Sequence, residues 1–136
     1  MTKKYSNPEE LLDSVQYGFS QVVSAVGTRF ISVSGQVAWT ADQVLVGRGD
    51  IYAETVKSLE NLEVALHSVS AELSDVISLR IYIVDYDRLA DSDHISRALL
   101  KFFPKGKAPT ATWVGVESLA NPDFRIEIEA MAVVAD

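Results

Sequence analysis

Val76-Ile77-Ser78-Leu79-Arg80-Ile81-Tyr82-Ile83-Val84 alternates in side-chain character from Ile77 to Ile83, and that alternation decides the fold. Ile77, Leu79, Ile81 and Ile83 fall on one face and Ser78, Arg80 and Tyr82 on the other, the period of a strand with one side in a core. Upstream the period lengthens. Tyr52, Val56, Leu59, Leu62, Leu66, Val69 and Leu73 recur three or four apart, which predicts a long amphipathic helix, with Asp50 as its N-cap. Downstream, Ile95, Ala98, Leu99 and Phe102 repeat the helical spacing, with Asp91 or Ser92 as the expected cap and Pro104 and Gly106 as the stop.

Further out, the pattern is mostly extended. Asn7, Pro8, Glu9 and Glu10 carry the signals of a short first helix: a capping side chain, a proline suited to the first helical position and acidic residues for the dipole. Val22, Val23 and Val26, then Gly27-Thr28, then Phe30, Ile31 and Val33 predict a hairpin. Residues 37–49 read as loop, apart from a short edge strand at Val44, Leu45 and Val46. Ala111 to Val116 and Phe124 to Val134 are the last strands. The order hairpin, helix, strand, helix, strand, strand predicts an α+β fold, one mixed β-sheet with two helices packed on one face, forming a single domain over residues 1–136. Met131 and Val133 are apolar on the face away from the helices. With no further chain to cover them, another copy is the economical partner, and a homo-oligomer is expected.

Composition narrows the function. Twelve basic residues against nineteen acidic ones leave a net charge of −7, which disfavours a nucleic acid or an anionic lipid surface as partner. The chain has no cysteine, so disulfides, thiolate metal sites and cysteine nucleophiles are excluded and a cytoplasmic location is the default expectation. No apolar run is long enough for a signal peptide core or a membrane span, the longest being Ala130 to Ala135.

Arg125, Glu127 and Glu129 recur at every second residue, about 7 Å apart along one strand face, so a guanidinium and two carboxylates are expected to converge. The plainer reading is a salt-bridge ladder; the functional one is a carboxylate that orients water or binds an amine at a subunit cleft. His67 and His94 have no second histidine within a turn, so neither reads as a metal ligand, and no metal site is expected. Ser34 lacks the glycine pattern of a hydrolase nucleophile, and Arg48-Gly49-Asp50 reads as part of the turn into the long helix. Trp39 and Trp113 read as packing residues.

Tyr17-Gly18-Phe19-Ser20-Gln21, Val33-Ser34-Gly35-Gln36-Val37-Ala38-Trp39, Glu60-Asn61-Leu62, Pro109-Thr110-Ala111-Thr112 and Ile126-Glu127-Ile128-Glu129-Ala130 together resemble the RidA/YjgF family, also labelled endoribonuclease L-PSP. The resemblance covers nearly the whole chain from about Tyr17. It implies a chorismate-mutase-like fold, a barrel-like homotrimer with its helices outside, and a small-molecule cleft between neighbouring subunits. It further implies hydrolysis of enamines and imines such as 2-aminoacrylate to 2-oxo acids and ammonia, with no cofactor. By the same resemblance Glu127 is the carboxylate that handles water, and Ser34 and Gly35 line the cleft. The arginine that family members use to grip the substrate carboxylate falls at Ala111, the cleft tyrosine at Ser20, a cleft asparagine at Ser96, and a small residue at Trp113, with Thr112 between. Bidentate carboxylate recognition needs a planar guanidinium, so an altered substrate is expected. Binding without turnover, or a protein partner, is the alternative. Ribonuclease chemistry is disfavoured by the acidic balance and the absence of a histidine pair.

Overall fold

The computed structural model describes residues 2–135. Strands β1 (Thr2–Ser6) and β2 (Val22–Val26) form an antiparallel pair, and β3 (Arg29–Gln36), β4 (Val76–Val84), β5 (Thr110–Val116) and β6 (Ile126–Val134) form a four-stranded sheet in the order β3-β6-β4-β5. β6 runs antiparallel to both β3 and β4, and β4 pairs with β5 in parallel. Helices α1 (Ile51–His67) and α2 (Arg88–Phe102) make the two crossovers, β3 to β4 and β4 to β5. Both crossovers step the same way across the sheet, and crossovers of one hand then place their helices on one face. The α+β layer arrangement expected from the periodicities is the one observed.

The core lies between those layers. Leu79, Ile81 and Ile83 of β4 and Ile126, Ile128, Ala130 and Ala132 of β6 bury against Leu59, Leu62 and Leu66 of α1 and Ile95, Ala98 and Leu99 of α2. Burying a side chain such as Leu or Ile contributes about 1.5–3 kcal/mol, so this layer supplies most of the gross stabilisation. Asp50 caps α1 as expected, its carboxylate accepting from the Ala53 N–H at 3.1 Å. Gly47, at φ +79°, makes the preceding turn, where a Cβ would come 2.6 Å from that of Ala53.

Local competition corrects several expectations. α1 stops at His67 rather than reaching Leu73, because the Ser68 hydroxyl bonds back to the Ala65 carbonyl and Ser70 turns to φ +58°. α2 begins at Arg88, so Asp91 and Ser92 lie inside it. Asp87 is the cap, accepting from the Leu89 and Ala90 N–H groups, while Asp91 reaches back to the Asp87 N–H at 2.9 Å. The short helix expected from Asn7 is absent: the Asn7 side chain accepts from the Gln21 N–H at 2.9 Å, and only a turn follows, closed by the Leu11 N–H on Pro8 O. A short 3-10 turn at Val15–Tyr17 comes next.

The expected hairpin is also corrected. Both strands exist, but β2 pairs with β1 and β3 with β6. Gly27 passes so close to the end of β6 that a Cβ there would lie 2.5 Å from the Val133 side chain, which explains why Val133 is buried although it shares the open face with its register partner Phe30. Val44 to Val46 contributes one bridge, Trp39 to Leu45, instead of a strand. No helix among the described residues is long and apolar enough to cross a membrane.

Candidate functional site

Two clusters gather the residues singled out above. The first is a cavity of about 640 Å³ between the N-terminal loop, the start of α2 and the edge strand β5. Leu12, Tyr17 and Phe19 form one wall and Ala111, Thr112 and Trp113 another. Arg88, Ser92 and Ser96 line it from α2, with Tyr86 just before the helix. Gly18 lets the loop lie on α2: at φ +94°, it sits where a Cβ would be 3.0 Å from the Leu99 Cβ and 3.2 Å from the Ser96 carbonyl oxygen. That contact sets Tyr17 and Phe19 over the cavity. Phe19 and Trp113 stack obliquely with ring centroids 6.3 Å apart, and the Tyr86 and Ser92 hydroxyls share a 2.7 Å hydrogen bond.

Ser20 does not line this cavity. It is buried, its hydroxyl donates to the Ala108 carbonyl at 2.6 Å and its N–H to Pro109 O at 3.0 Å, so it fastens the loop beside β5.

The second cluster lies on the open face of the sheet. Glu127 stands opposite Tyr82 in register and alongside the irregularity in β3 at Ser34-Gly35, where a Cβ on Gly35 would overlap the Glu127 carboxylate. Glycine therefore makes the space this carboxylate occupies. Glu127 is half-buried and makes no hydrogen bond or ion pair among the described residues. Ser34 is exposed beside it, with its carbonyl accepting from the Gln36 amide at 3.1 Å.

Glu129 differs from its neighbour. It accepts a short hydrogen bond from the Tyr82 hydroxyl of the same chain, which holds the tyrosine pKa above its ordinary value. Arg125 does not join the two glutamates. Its guanidinium donates to the Val84 and Asp85 carbonyls and to Asp91 at 3.0 Å, and its N–H to Glu54 at 3.4 Å. Burial pushes the Asp91 pKa up, but the Asp87 N–H and Arg125 outweigh it and hold the group below its ordinary value. Glu54 is buried with one carboxylate oxygen unpartnered, and burial pushes its pKa up.

The clusters face opposite ways. Ala111 and Trp113 stand opposite Leu79 and Ile81, on the helix side, whereas Glu127 stands opposite Tyr82, on the open side. The structure thus brings Ser96, Ala111, Thr112 and Trp113 together, and separately Ser34, Gly35 and Glu127. No group of three or more histidine or acidic side chains placed to hold a metal occurs among the described residues, and His67 and His94 are both exposed.

The model of the family Endoribonuclease L-PSP matches residues 9–134. The chain belongs to the RidA/YjgF family. This RidA/YjgF chain is 32% identical over 114 residues to a RutC family protein of Pyrococcus abyssi, covering 84% of each. It is similar to the crystal structure of the Rid family protein YyfB of Yersinia pestis, with a TM-score of 0.92 and 36% identity over 98% of this chain and 100% of that one. Escherichia coli TdcF, solved with bound serine, superposes with a TM-score of 0.67 at 26% identity, over 82% of this chain and 92% of that one.

The cavity also contains residues that the sequence reading did not select. Arg88 is the most consequential. The signal was present in the spacing, since Arg88, Ser92 and Ser96 lie four apart and so line one stripe of α2, but the missing cap assignment at Asp87 left Arg88 outside the helix.

Proposed function

We propose that this RidA/YjgF protein assembles as a homotrimer, binds a small metabolite in clefts between subunits and hydrolyses an enamine or imine there. The separation of the two half-sites carries the reading. Within one chain the cavity walled by Ala111 and Trp113 and the free carboxylate of Glu127 face opposite sides of the sheet, so a single cleft containing both needs two chains. The open face is suited to such contact: Phe30 is 72% exposed and Met131 49%, beyond what isolated surface residues explain. A small ligand is in keeping with the serine bound by TdcF.

The chemistry follows from the groups present. An enamine tautomerises to its imine, and water adds to the C=N carbon as Glu127 takes its proton. That proton passes to nitrogen to give a carbinolamine, whose hydroxyl proton then moves to nitrogen in turn as the C–N bond breaks, so that ammonia leaves and a 2-oxo acid remains. β5 is an edge strand, and beyond the bridge from Thr110 to Ser20 its outer backbone edge has no strand partner among the described residues, so N–H donors near Ala111 and Thr112 are free to meet developing charge. Ala111 offers no carboxylate fork. Acids as small as 2-aminoacrylate or 2-iminobutanoate should therefore turn over more than about tenfold slower than in an arginine-bearing relative.

Ammonia release from freshly generated 2-aminoacrylate, measured beside sedimentation, tests the proposal. Glu127→Gln keeps the shape and removes the charge, so it should abolish turnover while the trimer persists. An unchanged rate in that variant, or a monomeric wild type at micromolar concentration, would overturn the reading.

A further inference from the structure

The cavity walled by Ala111 and Trp113 has a charge pattern unlike that of the chain around it. The protein carries a net charge of −7, yet no acidic side chain lines this cavity and Arg88 is its one charged residue. Arg88 makes no hydrogen bond or ion pair among the described residues. Two carboxylates close in sequence are committed elsewhere: Asp87 accepts from the first N–H groups of α2, and Asp91 from Arg125 and the Asp87 N–H. An unpaired guanidinium at an otherwise neutral cavity selects an anion, and its planar fork suits a carboxylate.

The remaining walls say what is attached to that anion. Tyr17, Phe19, Tyr86 and Trp113 present aromatic surface, with Leu12 beside them. Trp113 fills much of the volume near β5 yet leaves about 640 Å³, within the range of sites that enclose drug-sized ligands and far more than a three-carbon acid occupies. Aromatic pairs favour offset or tilted arrangements with ring centroids 4.5–7 Å apart, so a ligand ring can add to an aromatic wall of this kind. Phe19 and Trp113 already adopt such a tilted arrangement.

We infer that the cavity binds a small aromatic carboxylate, with Arg88 gripping the acid group in place of the missing fork at Ala111 and the aromatic walls holding the ring. This inference rests on the cavity being one half of the cleft proposed above, and it names that cleft's ligand class. Ser92 and Ser96 lie on the same stripe of α2 as Arg88, four and eight residues on, and add hydroxyls along the line from the acid group toward β5.

Calorimetric titration of the full chain with phenylacetate, phenylacetamide and propionate separates the two elements of recognition. Phenylacetate should bind at least tenfold tighter than either of the others, the amide lacking the charge and propionate the ring. Arg88→Ala should weaken phenylacetate at least tenfold and leave phenylacetamide unchanged. Because Arg88 is exposed, the variant is expected to fold, and circular dichroism checks this. Equal binding of phenylacetate and phenylacetamide, or no loss in Arg88→Ala, would overturn the inference. Propionate bound as tightly as phenylacetate overturns it too, while leaving a small-metabolite cleft intact. Failure of all three probes to bind likewise overturns it. The cleft reading itself fails on different observations, a monomer in sedimentation or unaffected ammonia release in Glu127→Gln.

Discussion

The two faces of the four-stranded sheet are written by alternate residues of the same strands, and they have opposite characters. Ile81, Ile83, Ile126 and Ile128 are fully buried beneath the helices, whereas their neighbours Arg80, Tyr82, Glu127, Glu129 and Met131 are part-buried or exposed on the open side. The first set pays the conformational entropy of folding. The second adds little within one chain and instead carries a carboxylate without a partner and apolar surface without cover. Stability and recognition are thus interleaved residue by residue, and a change on one face should report on one property alone.

Met131→Glu is the strongest way to break the comparison. An unpaired charge at a subunit contact costs about 3–5 kcal/mol, so sedimentation should show monomers while far-UV circular dichroism keeps the signature of a folded chain. A trimer that survives this substitution would mean that the open face is not the contact surface.

Asp91→Asn acts on the helical layer and should be smaller, about 1.5–3 kcal/mol by chemical denaturation, because it weakens the bond tying α2 to Arg125 at the entrance to β6. Asp91 is held below its ordinary pKa, so its stabilisation is present above the ordinary carboxylate range and is lost as pH falls through the folded value. The gap between variant and wild type should close in acid.

Glu54→Gln is the subtlest test, about 1 kcal/mol or less. Here the folded pKa is raised by burial, so the contribution of Glu54 is fully present below its ordinary range and is lost as pH rises through the folded value. The variant should therefore melt above the wild type at neutral pH and converge with it as pH is lowered. A variant that melts lower at neutral pH would show that the nearby Arg48 and Arg125 outweigh burial.

The same division explains what was legible in the sequence. β4 and the start of α1 were readable because alternation and capping are local: every residue from Val76 to Val84 falls in the strand, and Asp50 caps its helix. Strand pairing is not local. Val22–Val26 and Arg29–Gln36 read as a hairpin because turn chemistry at Gly27-Thr28 permits one, but the choice of β1 and β6 as partners depends on residues far off in sequence. β1 itself, Thr2–Ser6, carries too little apolar alternation to announce a strand. The site divided likewise. Glu127, Ser34 and Gly35 were located by motif and do lie together, whereas the grouping of Arg125 with the glutamates failed because Val84, Asp85 and Asp91 compete for its guanidinium.

The central place of β6 has a consequence for biosynthesis. β6 lies between β3 and β4, yet it is translated after both and after β5. As the polypeptide leaves the ribosome, β3 and β4 therefore have no shared neighbour to bridge them, and their isoleucines lack half of their core until β6 emerges. The nascent chain must wait with sticky strand edges exposed, an interval in which holding chaperones, or premature contact between chains, decide its fate.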